Sequence, residues 1–497
     1  MRPLRVLLPA LLLLTGCATW SQPEAAVTVV SEEPCADAEG FSCVTLAVPT
    51  DHVVVGSATW DVTFAVHRAE QESRGVFVTA TGGPGSSGIA LATDYTDAMP
   101  AEITDSFDVV FFDQRGIGLS QPFRCDDTVA ADESPGVDSS SSPEERDAFA
   151  EAATAFGEDC FAEAGVDPAD AARYGTRQAV EDLELFRRWL GADTLTLYGE
   201  SYGTQFVQTY AAAHPEHVDG LVLDGVVDLS TEVEDFYTEA AQAYSDALTA
   251  TLLACDVQRR CADEAPGDSL AGYDQLAEQL AAEPVDLGDG EEFGLDGLQA
   301  AAFSTVSDPY SRTALQEALN EGLDGEFESL ATLAAPAPVD DTFSDALFLA
   351  VECQDFDFVP RDGSGRAELD DWLDAAAEVG ADGMRLGAVF YNDLSCLFWP
   401  GVADTADFER PAPVTDPAYP MLVLTADTDP NTPTQNALRV YSRVLDDASL
   451  VTQQGGPHVL FGRGVSCVDD LVADFVAAGT PPPTEVTVCA GDVSDPY

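Results

Sequence analysis

The most restrictive feature of this chain is a five-residue turn set between a strand pattern and a helix pattern. Thr194-Leu195-Thr196-Leu197-Tyr198 reads as a buried strand, Gly199-Glu200-Ser201-Tyr202-Gly203 follows at once, and a helical pattern runs on through about Ala213. A chain that turns from strand into helix so abruptly strains its middle residue, and small flanking residues relieve the crowding of strand against helix. The serine is thereby presented at the end of the strand. The helix N-terminus and the Tyr202 N–H then face any oxyanion formed by attack of its hydroxyl. As a pattern of five letters the signal is weak. In this position it constrains fold and chemistry together.

The flanking pattern repeats that alternation. Strands are expected at Val44–Val48, Trp60–Val66, Val76–Ala80, Asp108–Phe112 and Leu221–Leu223, with a helix over Gln178–Leu190. Asp108–Phe112 is almost wholly apolar, as a strand covered on both faces should be. From about Leu229 to Ala412 the pattern becomes helical without strong strands, as in Glu239–Leu253 and Leu270–Leu280. Strands return at Met421–Thr425 and Ala448–Val451, before a helix over Val468–Ala478. The expected fold is α/β, a mostly parallel sheet flanked by helices with an inserted helical cap. The expected divisions are a leader at 1–16, a tether at 17–34, core at 35–228, the cap at 229–412 and core again at 413–497.

Charge excludes one class of partner. Asp plus Glu number 89 against 21 basic residues, a formal −68, and every basic residue is Arg. Such a surface repels a phosphate backbone, so nucleic acid is not an expected partner. It reads as a heavily hydrated acidic surface. Arg2 and Arg5 precede an apolar run over Val6–Leu14, too short to span a bilayer, and Leu14-Thr15-Gly16-Cys17 resembles a bacterial lipobox. That resemblance implies cleavage before Cys17, lipid on its thiol, and a body held at the extracytoplasmic face of a membrane by the anchor alone. The other ten Cys suit an oxidising compartment. Pairing in sequence order would give Cys35–Cys43, Cys125–Cys160, Cys255–Cys261, Cys353–Cys396 and Cys467–Cys489. No C-x-x-C occurs and His is scarce, so neither a metal nor an organic cofactor is expected.

A serine hydroxyl needs a base. Of five His, His458 in Gly455-Gly456-Pro457-His458 is the one that follows the last strands, whereas His52, His67, His214 and His217 lie near early strands or at the end of the helix after Ser201. The orienting acid should end the preceding strand, where Asp427 and Asp429 both stand. Gly82-Gly83-Pro84-Gly85-Ser86-Ser87-Gly88, after the third strand, offers the Gly83 N–H as a second oxyanion donor. Gly83-x-Gly85-x-x-Gly88 also matches a dinucleotide fingerprint, but no Lys exists to build a phosphate loop.

Together, Gly82-Gly83-Pro84-Gly85-x-Ser87-Gly88, Asp113-x-Arg115-Gly116-x-Gly118-x-Ser120 and Gly199-Glu200-Ser201-Tyr202-Gly203 resemble the α/β-hydrolase serine peptidases, and above all the tripeptidyl aminopeptidase and proline iminopeptidase branch. Asp429-Pro430-x-Thr432-Pro433 is similar to that branch's acid motif, which assigns the acid to Asp429. Pro122-x-x-Cys125, Cys396-x-x-Trp399-Pro400 and Cys467…Cys489 extend the likeness over nearly the whole chain. Thr81 and Val459 depart from the usual pattern, beside the glycine loop and after the histidine. The resemblance implies an exopeptidase that releases short N-terminal peptides from chains with a free N-terminus, through Ser201, Asp429 and His458. It implies carboxylates that hold the substrate ammonium, for which Glu352, Asp355 and Glu200 are the candidates. A carboxylic-ester hydrolase and an inactive surface-binding lipoprotein stay open as alternatives.

Overall fold

The computed structural model describes residues 27–132, 134–257, 268–288, 291–336, 340–358, 365–402, 408–415, 417–444, 448–482 and 484–491. The leader, the lipobox with Cys17, and Cys261 lie outside the described residues.

Val- and Phe-rich segments build one large sheet. Its strands are β1 (Thr28–Pro34), β2 (Ser42–Pro49), β3 (Thr59–His67), β4 (Val76–Ala80), β5 (Asp108–Phe112), β6 (Leu195–Glu200), β7 (Val218–Asp224), and, beyond the cap, β10 (Met421–Ala426), β11 (Ala448–Gln453) and β12 (Val486–Cys489). The spatial order is β1-β2-β3-β5-β4-β6-β7-β10-β11-β12. Pairing is antiparallel from β1 to β5 and parallel from β5 to β12. β4, β6 and β10 are buried along their whole length, because helices cover both faces of the parallel part. Apolar clusters fill both sides, one around Phe64, Phe186 and Leu197, the other around Phe77, Phe111 and Tyr198.

Among the departures from the sequence expectation, two add strands outside the expected core. Residues 28–34 were expected in the tether. They form β1, since Thr28, Val29 and Val30 favour extended backbone, and the strand pairs with β2 from Thr28↔Ala47 to Pro34↔Ser42 with a register shift between Val29 and Ser31. Glu32, Glu33 and Pro34 suit a strand with one unpaired edge. The stretch between β7 and β10 was expected to be helical without strong strands, and Val285–Gly288 (β8) and Glu291–Phe293 (β9) form one small antiparallel hairpin among its helices.

Pairing in sequence order holds for Cys35–Cys43, Cys125–Cys160, Cys353–Cys396 and Cys467–Cys489. Cys255 is also disulfide-bonded. No helix among the described residues is long and apolar enough to cross a membrane.

Two buried polar clamps set the loops at the strand ends. The Asp113 carboxylate accepts from Ser87 Oγ at 2.6 Å, Leu119 N at 2.8 Å and Ile89 N at 3.2 Å, so it holds the glycine-rich loop after β4. Gly118 is obligatory there, because a Cβ would lie 2.2 Å from Asp113 Oδ2. Arg115, wholly buried, donates to Asp182, Pro49 O, Thr50 O and Arg173 O. Residues 342–344, in the long stretch between β7 and β10, are fastened to the same loop, with Ser87 N donating to Thr342 O and Ser344 N to Gly85 O.

Candidate active site

Ser201 stands between β6 and the helix Tyr202–Ala213 with φ 54° and ψ −125°, a conformation that side chains rarely adopt. Crowding explains the neighbouring glycines. A Cβ at Gly199 would come 2.3 Å from Gly203 O, and one at Gly203 would come 2.1 Å from Ala80 O. The turn is fixed by a 2.8 Å bond from Ser201 N to Asp224 O, at the end of β7. Tyr202 opens its helix, so its N–H has no carbonyl one turn back and is free for a ligand. Gly82 packs on the serine, where a Cβ would lie 3.0 Å from Ser201 Cβ. Gly83 holds φ 107° beside it.

His458 follows β11. Its Nδ1 lies 2.9 and 3.0 Å from the two carboxylate oxygens of Asp429, in the turn after β10. Asp429 is buried and held by Asn431 N at 2.9 Å, Thr432 N at 3.1 Å and Thr432 Oγ1 at 2.8 Å. Asp427 instead points outward and takes Gly455 N. The imidazole rests over Gly225, where a Cβ would lie 3.1 Å from His458 Cε1. Gly225 adjoins Asp224, whose carbonyl holds Ser201, and this brings serine and imidazole to the same strand ends. Burial disfavours the imidazolium, but the Asp429 carboxylate outweighs it, and the proton affinity of His458 ends above its ordinary value. The remaining histidines are engaged elsewhere: His52 with Asp182, His67 against Phe41, His214 with Glu181 and His217 with Asp193 O.

Ser201, Tyr202 and Gly83 border a cavity of about 220 Å³ that runs up into the cap. Its walls carry the aromatic rings of Phe236, Tyr237, Tyr244, Phe303, Phe348 and Phe356. Two carboxylates interrupt them: Glu352, on the helix Asp345–Asp355, and Asp393, at the start of the turn Leu394–Phe398. Burial and the charges of Asp393 and Asp355 push the Glu352 carboxyl well up, with Arg410 opposing. Burial raises Asp393 too, although Tyr237 Oη donates to it at 2.7 Å. The Cys353–Cys396 disulfide joins the two segments that carry these acids.

The other two candidate amine ligands lie away from the cavity walls. Asp355, one helical turn beyond Glu352, is buried beneath the wall and spent on Gln205 Nε2 at 2.7 Å and Thr176 N at 3.3 Å. Glu200 points to the opposite side of its strand from Ser201, where it takes the Tyr95 hydroxyl. Asp393 escaped the sequence reading, since no motif sets it apart from 88 other acids. Thr432 stands in the quoted acid motif and could have been found. Among the described residues, no cluster of His, Cys, Asp and Glu could hold a metal ion.

Residues 75–266 match the family described as alpha/beta hydrolase fold, and residues 384–489 the one described as TAP-like protein. The chain has the α/β-hydrolase fold. Among curated proteins, it is 28% identical over 467 residues to the serine protease Hip1 of Mycobacterium tuberculosis, covering 90% of this chain and 86% of that one. It is 26% identical over 444 residues to the tripeptidyl aminopeptidase of Streptomyces lividans, covering 84% and 77%. Carboxylesterase B of Mycobacterium tuberculosis is 27% identical over 472 residues, covering 89% and 85%.

Proposed function

We propose that this serine peptidase of the α/β-hydrolase fold is an exported exopeptidase that releases short peptides from unblocked N-termini. The observation that carries the reading is the joining of two features in one cavity. At its floor is the strained Ser201, whose turn shares the end of β7 with the imidazole of His458 and that imidazole's buried Asp429 partner. On its wall is a carboxylate pair, Glu352 and Asp393, whose raised proton affinity a bound cation would relieve.

His458 takes the Ser201 proton as the oxygen attacks the acyl carbon, and Asp429 steadies the imidazolium through Nδ1. The Gly83 and Tyr202 N–H groups receive the oxyanion. His458 then protonates the departing amine, and water admitted to the same position releases the acyl group. Glu352 and Asp393 hold the substrate ammonium, and the aromatic walls accept apolar side chains. The cap, residues 229–412, closes the cleft over the bound N-terminus. Lipid on Cys17 holds the enzyme at the extracytoplasmic face of a membrane, an environment that suits its disulfides.

The carboxylesterase relative favours a second reading, an ester hydrolase on the same residues. A neutral ester gives the carboxylate pair nothing to hold, so the peptidase reading stands first. An unblocked tripeptide chromogen, its N-acetylated form and a short acyl ester separate the two. The unblocked peptide should be cleaved with the highest kcat/KM, and preference for either of the others would overturn the exopeptidase reading.

A further inference from the structure

We propose that the Asp224 carboxylate is a positioning residue that holds the His458 loop in register with the serine turn. The proposal rests on His458 acting as the base, and its geometry stands outside the residues assigned above. Asp224 ends β7 and is fully buried. Its main-chain oxygen takes the N–H of Ser201. Its carboxylate takes the loop that follows the histidine, with Leu460 N at 2.9 and 3.0 Å from its two oxygens and Phe461 N at 2.8 Å. Tyr198 Oη adds a third donor at 3.0 Å. One residue thus grips the backbone on both sides of the serine–imidazole gap.

Val459 shows what this grip does. It lies between His458 and the two captured N–H groups and has φ 68°. A β-branched side chain is strained there and persists only where its surroundings over-determine the backbone. The carboxylate supplies that determination, for without it Val459 would relax toward negative φ and swing His458 away from Ser201. A second anchor, His458 N to Ser307 O at 3.1 Å, lies before the strained residue and does not fix it.

Asp224→Asn preserves volume but replaces one acceptor oxygen with a donor. The expected result is a fall in kcat of roughly 10–100-fold with KM within about twofold, since only the base is displaced. Val459→Gly adopts positive φ without strain, so adding it to Asp224→Asn should restore about tenfold or most of the loss. The pH profile separates this from a loosened fold. The charged and titratable groups around the imidazole are Asp429, Asp224 and Glu200, with Arg463, Tyr198 and Tyr95 on the sheet side and Arg312 of the cap near Thr428. Removing the Asp224 charge lowers the proton affinity of His458, so the acid limb of kcat/KM should move to lower pH.

Hydrogen exchange on the unaltered enzyme needs no variant. The Leu460 and Phe461 amides should be protected like the sheet, although they lie in a loop. Fast exchange there would overturn the proposal, as would Asp224→Asn with unchanged kcat or with no recovery on adding Val459→Gly. If instead His458→Ala left fluorophosphonate labelling of Ser201 undiminished, the reading of His458 as base would fail, whatever the amides did.

Discussion

The floor and the roof of this site are built on opposite principles. On the floor, each charged group has its lone pairs filled: Asp429 by Asn431, Thr432 and His458, and Asp224 by Leu460, Phe461 and Tyr198. In the roof, Asp393 has one hydroxyl donor, and Glu352 faces the cavity among aromatic rings, with Asp393 and Asp355 as like charges that Arg410 only partly offsets. Groups that must keep one position are tied to the backbone at strand ends. Groups meant to meet a ligand are left short of partners, so the ligand supplies what the protein withholds.

Breaking the floor should cost most. Ser201→Ala should abolish fluorophosphonate labelling, and Asp429→Asn should lower kcat by about 10²–10⁴-fold through the wrong imidazole tautomer. The floor also sets the pH response. His458 acts when neutral and its proton affinity is raised, so activity should climb with pH through a midpoint above 6.5, the ordinary value, and be lost below it. A midpoint at or below that value in a kcat/KM profile would mean that Asp429 does not govern the imidazole.

Breaking the roof should cost less and in a different parameter. Glu352→Gln and Asp393→Asn should each raise KM for unblocked peptides by about 10–100-fold, the worth of one charged hydrogen bond. Turnover of a short ester should hardly change. Equal losses on both substrates would dissolve the contrast between the two regions. The smallest effect should come from the link that spans the roof. Cys353→Ala with Cys396→Ala opens a 43-residue loop and should lower stability by about 2–4 kcal/mol in denaturant melts. KM should rise more than kcat falls, as the two acids lose their common tether.

Much of the floor was legible in the sequence. β4 and β5 fall where periodicity placed them, at Val76–Ala80 and Asp108–Phe112. The serine turn was legible because glycine, serine and helix start must be consecutive. Ser142-Pro143-Glu144-Glu145 carries the capping-box pattern that starts the helix Pro143–Ala164, so the start of that helix was marked locally. β12 was hidden for a physical reason, since its four residues are too short a run to carry a periodic signal and only Cys489 is buried.

Residue order therefore determined the α/β alternation, the strained serine and the single histidine placed to serve it, because each depends on neighbours within a few positions. Tertiary structure alone decided which carboxylates matter. Asp355 and Glu200 were plausible by motif, yet folding spent the one on Gln205 and Thr176 and aimed the other at Tyr95. Asp393 and Asp224 carried no local mark. Asp393 reaches the cavity beside Glu352, and Asp224 reaches the loop 236 positions further on. In a chain with 89 acids the identity of a residue says little, and the partners that folding brings within 3 Å say nearly everything.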